Sequence, residues 1–153
     1  IRNTARFMLA NLNGFDPAKH TIRPGEMLAM DYWIVRRCQL LQTELMSHYN
    51  DYNFLGVYQK IHNFCVVELG GFYLDVIKDR QYTLKSDSLA RRSTQTAMFH
   101  ILEMFSRLIA PIISFTADEI WENIPGDRAD SVFLTNFSDA VEDLPELSEL
   151  DDQ

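Results

Sequence analysis

The sequence predicts an all-α protein: an antiparallel helical bundle of four longer helices plus a short fifth helix and an irregular acidic C-terminal tail. Three observations carry that prediction. Apolar residues recur every three or four positions along most of the chain up to Ala110, which is the spacing of one helix face. The breaks between these stretches hold Asn13-Gly14, Asn50-Asp51-Tyr52-Asn53 and Pro125-Gly126, residues that end helices or make turns. There is no βαβ alternation and no internal repeat. With 153 residues and 46% hydrophobic content, the chain fits one domain with a substantial core.

Ile1, Ala5, Met8 (or Leu9) and Leu12 form the stripe of a first helix that reads as already under way at Ile1. With no initiator Met, the chain reads as a piece of a longer protein. Phe15 to Gly25 carries two prolines and is expected to be a connecting loop. A second helix is expected from about Glu26 to Tyr49, with Met27, Met30, Ile34, Cys38, Leu41, Leu45 and Met46 inward. Trp33, Leu40 and Tyr49 broaden that stripe, and Trp33 reads as a core residue. A third helix, about Phe54 to Asp79, has Leu55, Tyr58, Ile61 (or His62), Cys65, Leu69, Phe72, Tyr73 and Val76 as its inward set. It is apolar over more than one face and is expected at the centre of the bundle. Gly70-Gly71 costs about 1 kcal/mol per glycine relative to alanine, and a close-packed neighbouring helix would account for it.

A fourth helix is expected from about Leu89 to Ala110, capped by Ser88 or Asp87, with Ala97, Ile101, Met104, Phe105, Leu108 and Ile109 inside. Glu103 and Arg107 stand one turn apart on its flank, a pairing worth a few tenths of a kcal/mol. Pro111 stops the run. Thr116-Ala117-Asp118-Glu119 matches a capping box for the short fifth helix, with Trp121 as a core anchor. Ser131 to Thr135 has the composition of an extended segment. The expected division is a helical domain over 1–137 and an acidic tail or linker over 138–153.

Residues 1–110 hold 13 Lys/Arg and 10 Asp/Glu, whereas 111–153 hold one Arg and 12 acids. The formal net charge of −8 therefore hides a mildly basic helical body. Cys38 and Cys65 sit in apolar helical patterns with no Cys-x-x-Cys pair, which fits buried free thiols and not a zinc site. No apolar run is long enough to span a bilayer. No phosphate-binding glycine loop, His-Glu-x-x-His motif, nucleophile elbow or EF-hand loop is present. His100-x-x-Glu103 occurs once and in reverse order for a carboxylate-bridged metal bundle. No catalytic or metal-binding residues are assigned.

Basic and aromatic groups fall into three clusters: Arg2 and Arg6; Arg36 and Arg37; and Lys78, Arg80, Tyr82, Lys85, Arg91 and Arg92. The third is the densest. Cations on phosphates with rings on splayed bases are how single-stranded RNA loops are read. Cations in the last turn of a helix also complement its dipole, so composition leaves both roles open.

Three stretches add a resemblance. Ile1-Arg2-Asn3-Thr4-Ala5-Arg6-Phe7, then Phe72-Tyr73-Leu74-Asp75 with Lys78-Asp79-Arg80-Gln81-Tyr82, then Ala110 to Trp121 resemble the class I aminoacyl-tRNA synthetases of the isoleucyl/valyl/leucyl group. Within that group the first two motifs look like those of bacterial isoleucyl-tRNA synthetases, and the likeness runs from Ile1 to about Phe137. It implies an anticodon-binding domain whose partners are the anticodon stem-loop of isoleucine tRNA and the catalytic and C-terminal domains of the same chain, in a monomeric cytoplasmic enzyme. ATP, Mg2+ and Zn2+ would act elsewhere in the intact enzyme, with no cofactor in this piece. It also implies Lys78 and Arg80 as anticodon-loop contacts and Arg91 and Arg92 as phosphate contacts. Tyr82 either stacks on a base or packs against the next helix. Asp75 and Glu119 read as capping or packing residues. A valyl- or leucyl-type domain, or a helical protein-interaction module, are the alternatives.

Overall fold

A computed structural model describes residues 1–83, 85 and 88–135, with 79–83 described as backbone only. The helices are α1 (Arg2–Asn11), α2 (Pro17–His20), α3 (Ala29–Asn50), α4 (Phe54–Asn63), a π-helical segment (Phe64–Tyr73), α5 (Leu74–Thr83), α6 (Leu89–Ile109) and α7 (Ser114–Asn123). No strand occurs among the described residues. The all-α bundle is as expected, and the acidic tail after Thr135 lies outside the described residues.

Local chemistry sets the boundaries. α1 gives way to Gly14 at φ +76°, a left-handed turn that glycine makes without strain. The expected loop after it is partly helical. The Asp16 carboxylate accepts from the amide of Ala18 at 3.0 Å, Pro17 takes the first helical position, and a 3-10 turn follows at Pro24–Glu26. Asn53 caps α4 by accepting from Gly56 at 3.0 Å, and Ser88 caps α6 by accepting from Arg91 at 3.3 Å. The capping box at Thr116 does not form. The Ile113 carbonyl already accepts from Ala117 at 2.9 Å, so α7 starts at Ser114 and Thr116 lies inside it. Nor is 131–135 extended, because the Asp118 carboxylate takes both the Ser131 hydroxyl (2.7 Å) and the Val132 amide (3.1 Å). That pins a 3-10 turn at Val132–Leu134.

From Phe54 to Thr83 the chain is helical without a break, but its inward set differs from the expected one. Leu55, Tyr58, Phe72 and Val76 are exposed; Val57, Ile61, Phe64, Cys65, Leu69, Tyr73, Leu74 and Ile77 are buried. The buried residues from Ile61 to Ile77 recur every four positions. On an α-helix that spacing drifts by about 40° per step. The wider π turn rotates the opposite way and keeps the row on one face. Gly70 and Gly71 belong to this segment and are exposed, not a packing notch. A Cβ at Gly70 would meet the helix's own Cys65 carbonyl at 2.9 Å, and one at Gly71 the Val66 carbonyl at 2.9 Å. Among the described residues, no neighbouring helix comes within 4 Å of a Cβ at either position.

The centre of the bundle is α6 and not the third helix. It packs against α1, α2, α3, α5 and α7 and is buried from Ser93 to Met98 without interruption. Its polar residues act as ties. Thr96 Oγ1 accepts from the Ile22 amide at 3.1 Å, Gln95 donates to the Asn11 carbonyl at 2.9 Å, and Ser93 Oγ accepts from the Leu28 amide at 2.9 Å. α3 runs antiparallel to the Phe54–Thr83 rod along an outer seam of Trp33 on Phe72, Arg37 on Glu68 and Glu44 on Lys60. Trp33 is therefore a surface residue, 37% exposed, because its seam partner Phe72 is itself half-open to solvent.

Trp121 is the core anchor expected, 2% exposed, with its indole N–H donating to the Ala129 carbonyl at 2.8 Å. The guanidinium carbons of Arg107 and Arg128 lie 5.1 and 4.7 Å from its ring centroid. Glu103 joins them, meeting Arg128 at 3.0 Å and Arg107 at 3.7 Å. This pairing is enclosed, not the solvated flank expected, because the 124–129 turn folds Arg128 over it through bonds to the Ile124 and Pro125 carbonyls. Burial lowers the Arg128 pKa and Glu103 opposes that shift. Cys38 and Cys65 are buried and free; burial pushes the Cys65 thiol up to about 11 and raises Cys38 as well.

Candidate nucleic-acid interface

The densest basic cluster falls where α5 ends and α6 begins. Lys78 is exposed on α5, and its neighbour Ile77 is fully buried, so the helix turn that carries the cation is anchored. Arg80 and Tyr82 occupy the last turns of α5, and their side chains lie outside the described residues. Lys85 is exposed in the connection. Arg91 and Arg92 are half-buried in the first turn of α6. Arg92 is partly committed within the fold, since Nη1 donates to the Gly14 carbonyl at 3.3 Å and to Gln95 Oε1 at 3.0 Å. The fold thus brings Lys78, Arg91 and Arg92 onto two consecutive helix ends that pack together.

Beneath those ends lies a residue the sequence reading passed over. Asp31, in the first turn of α3, is completely buried. Its Oδ1 accepts from the Tyr73 hydroxyl at 2.6 Å and from Thr94 Oγ1 at 3.4 Å, and its Oδ2 accepts from Ser93 Oγ at 2.7 Å. One carboxylate therefore joins α3, the end of the π segment and the start of α6. The signal available was a carboxylate one position after Met30 in an apolar stripe, together with hydroxyls at Ser93, Thr94 and Thr96 on an otherwise apolar helix.

The other two basic clusters are engaged differently. Arg2 reaches Glu119 at 2.8 Å across a groove of about 400 Å³ between α1 and α7, which Arg6 also lines. Glu119 is thus an inter-helix partner and not a cap. Arg37 is forked onto Glu68 at 2.6 and 3.2 Å, and that hydrogen bonding raises its pKa. Asp75 is exposed on α5. Two further pairs of aromatic groups are exposed. Trp33 and Phe72 meet edge to face at 5.5 Å, and Tyr52 and Phe54 lie at the α3–α4 turn. Glu103 is taken up by the two arginines, and burial pulls the His100 pKa down to about 4. No group of three metal-ligating side chains occurs among the described residues. Nor is any described helix long and apolar enough to cross a membrane.

Comparison with known proteins gives this all-α bundle its family. Residues 31–152 match the family described as the anticodon-binding domain of tRNA ligase, and the chain belongs to that family. The relatives are particular. The isoleucine–tRNA ligase of Marinomonas sp. (strain MWYL1) is 63% identical over 144 residues, which is 94% of this chain. Those of Pseudomonas putida (strain W619) and Hahella chejuensis (strain KCTC 2396) are each 60% identical, over 99% and 98% of it. The chain spans 15–16% of the length of these relatives. Both matches continue past Phe137, where the resemblance of motifs stopped.

Proposed function

We propose that this chain binds the anticodon stem-loop of isoleucine tRNA, using the α5–α6 end of the bundle. The single observation that carries the reading is its membership of the anticodon-binding family, at 60% identity or more to isoleucine–tRNA ligases over nearly its whole length. The intact protein would join isoleucine to its tRNA with ATP, through catalytic and editing parts that lie outside these residues. Its ATP, Mg2+ and Zn2+ would belong there too. The catalytic and C-terminal domains of the same chain are the expected protein partners in a monomeric, cytoplasmic enzyme. The division into a bundle over 1–137 and an acidic linker over 138–153 is part of the same proposal.

In this reading Lys78, Arg80 and Arg91 neutralise loop phosphates, Tyr82 offers a ring to a base, and Arg92 divides its donors between the fold and RNA. An exposed cation on an anchored helix turn favours Lys78 as the leading contact, because little order must be gained on binding. The mildly basic body suits a contact that orients the loop while other domains share the load. Lys78→Glu tests it: affinity for the isoleucine anticodon stem-loop should fall about tenfold or more at low salt, converging on wild type as salt rises. Helical circular dichroism should be unchanged. Loss of affinity together with loss of helix would make Lys78 structural. Wild-type binding that ignores salt would count against the reading as a whole.

A further inference from the structure

We infer that Asp31 is a positioning residue for RNA binding: its buried carboxylate sets the end of the π segment against the start of α6, and thereby fixes where Lys78 and Arg91 stand. This rests on the RNA-binding reading above. The carboxylate is fully shielded from water and accepts the Tyr73 and Ser93 hydroxyls from two other elements, with Thr94 Oγ1, which donates to the Ala90 carbonyl at 3.0 Å, 3.4 Å away. Ser93 in turn holds the Leu28 amide at the head of α3.

Apolar side chains of similar size can also close such a junction. A carboxylate adds direction, because its two oxygens accept only within limited angles and distances. The direction is imposed at an informative place. Tyr73 is the last residue of the π segment, one turn or so before Lys78. Ser93 follows Arg91 and Arg92 directly within the first turns of α6. α6 has further polar ties, to Ile22 and Asn11, but these lead away from α5, while Leu74, Ile77, Ala97 and Met98 are apolar and buried, and apolar contacts do not fix rotation or register as tightly. Among the described residues the network is thus the directional tie between the two cationic helix ends.

Tyr73→Phe removes one hydroxyl and leaves the ring in place. In the intact protein that carries this chain, it should weaken binding of the isoleucine anticodon stem-loop by about five- to tenfold. The slope of log affinity against log salt should become shallower by about 0.7, the loss of one phosphate contact on a single-stranded loop. Adding Lys78→Ala to Tyr73→Phe should then cost little more than either change alone. Ser93→Ala should reproduce the pattern from the other side of the carboxylate. Full additivity of Tyr73→Phe and Lys78→Ala overturns the inference. So does a lower melting temperature with affinity and salt slope unchanged, which would leave the network a purely structural tie. If the wild type shows no salt-dependent binding, the RNA reading itself fails and this inference falls with it. The wild-type titration separates that outcome from the others.

Discussion

Glu103→Ala should lower the free energy of unfolding by about 3–5 kcal/mol, because it withdraws the carboxylate from two enclosed guanidinium groups. The side chains of Arg107 and Arg128 are only 8% and 10% exposed, and Glu103 itself 16%. Arg128 keeps the Ile124 and Pro125 carbonyls, but water compensates enclosed charges less than those of a surface pair. The Trp121 face, which both cations approach, supplies some attraction but much less than an ion pair. Glu103→Gln keeps an acceptor oxygen and should cost less. Urea denaturation of wild type and both variants measures the order, and a change below about 1 kcal/mol for Glu103→Ala would mean that the cluster is solvated like an ordinary surface pair.

Phe105→Ala should cost a comparable amount, about 3–5 kcal/mol, as a large side chain removed from a filled core. Phe105 is 1% exposed on α6, which neighbours surround. Phe72→Ala is its counterpart on the third helix. At 46% exposure, with an edge contact to Trp33, it should cost about 1 kcal/mol or less. The two changes together test which helix forms the centre, and chemical denaturation reads both. Equal losses would restore the third helix to that role.

The same pair shows what the sequence could and could not disclose. α1 and α6 were legible because their apolar residues follow the α-helical period; the inward set named for α6 is buried without exception, whereas on α3 Met46, expected inward, is 39% exposed. Phe72 and Val76 were misplaced because the period was assumed to be 3.6 residues, and a π segment shifts the face that points inward. Nothing in a local apolar count distinguishes the two; Gly70 and Gly71 marked the place, but for a reason internal to the helix. Trp33 was misplaced for a related reason, since its depth depends on a partner across the seam. Trp121, flanked by Ile120 and Ile124 on a short helix, was legible. The basic cluster could be named from composition, and motif resemblance assigned it to RNA. Its dependence on Asp31 could not be seen, because that network joins residues up to 63 positions apart. Long-range hydrogen bonds leave no periodic trace in a sequence.

The most direct test of RNA binding at the α5–α6 end is amide hydrogen exchange of the intact protein with and without the isoleucine anticodon stem-loop. Binding should slow exchange in α5 and in the first turn of α6. Protection confined to α7 and the Tyr52–Phe54 turn, with α5 and the start of α6 unchanged, would contradict the assignment.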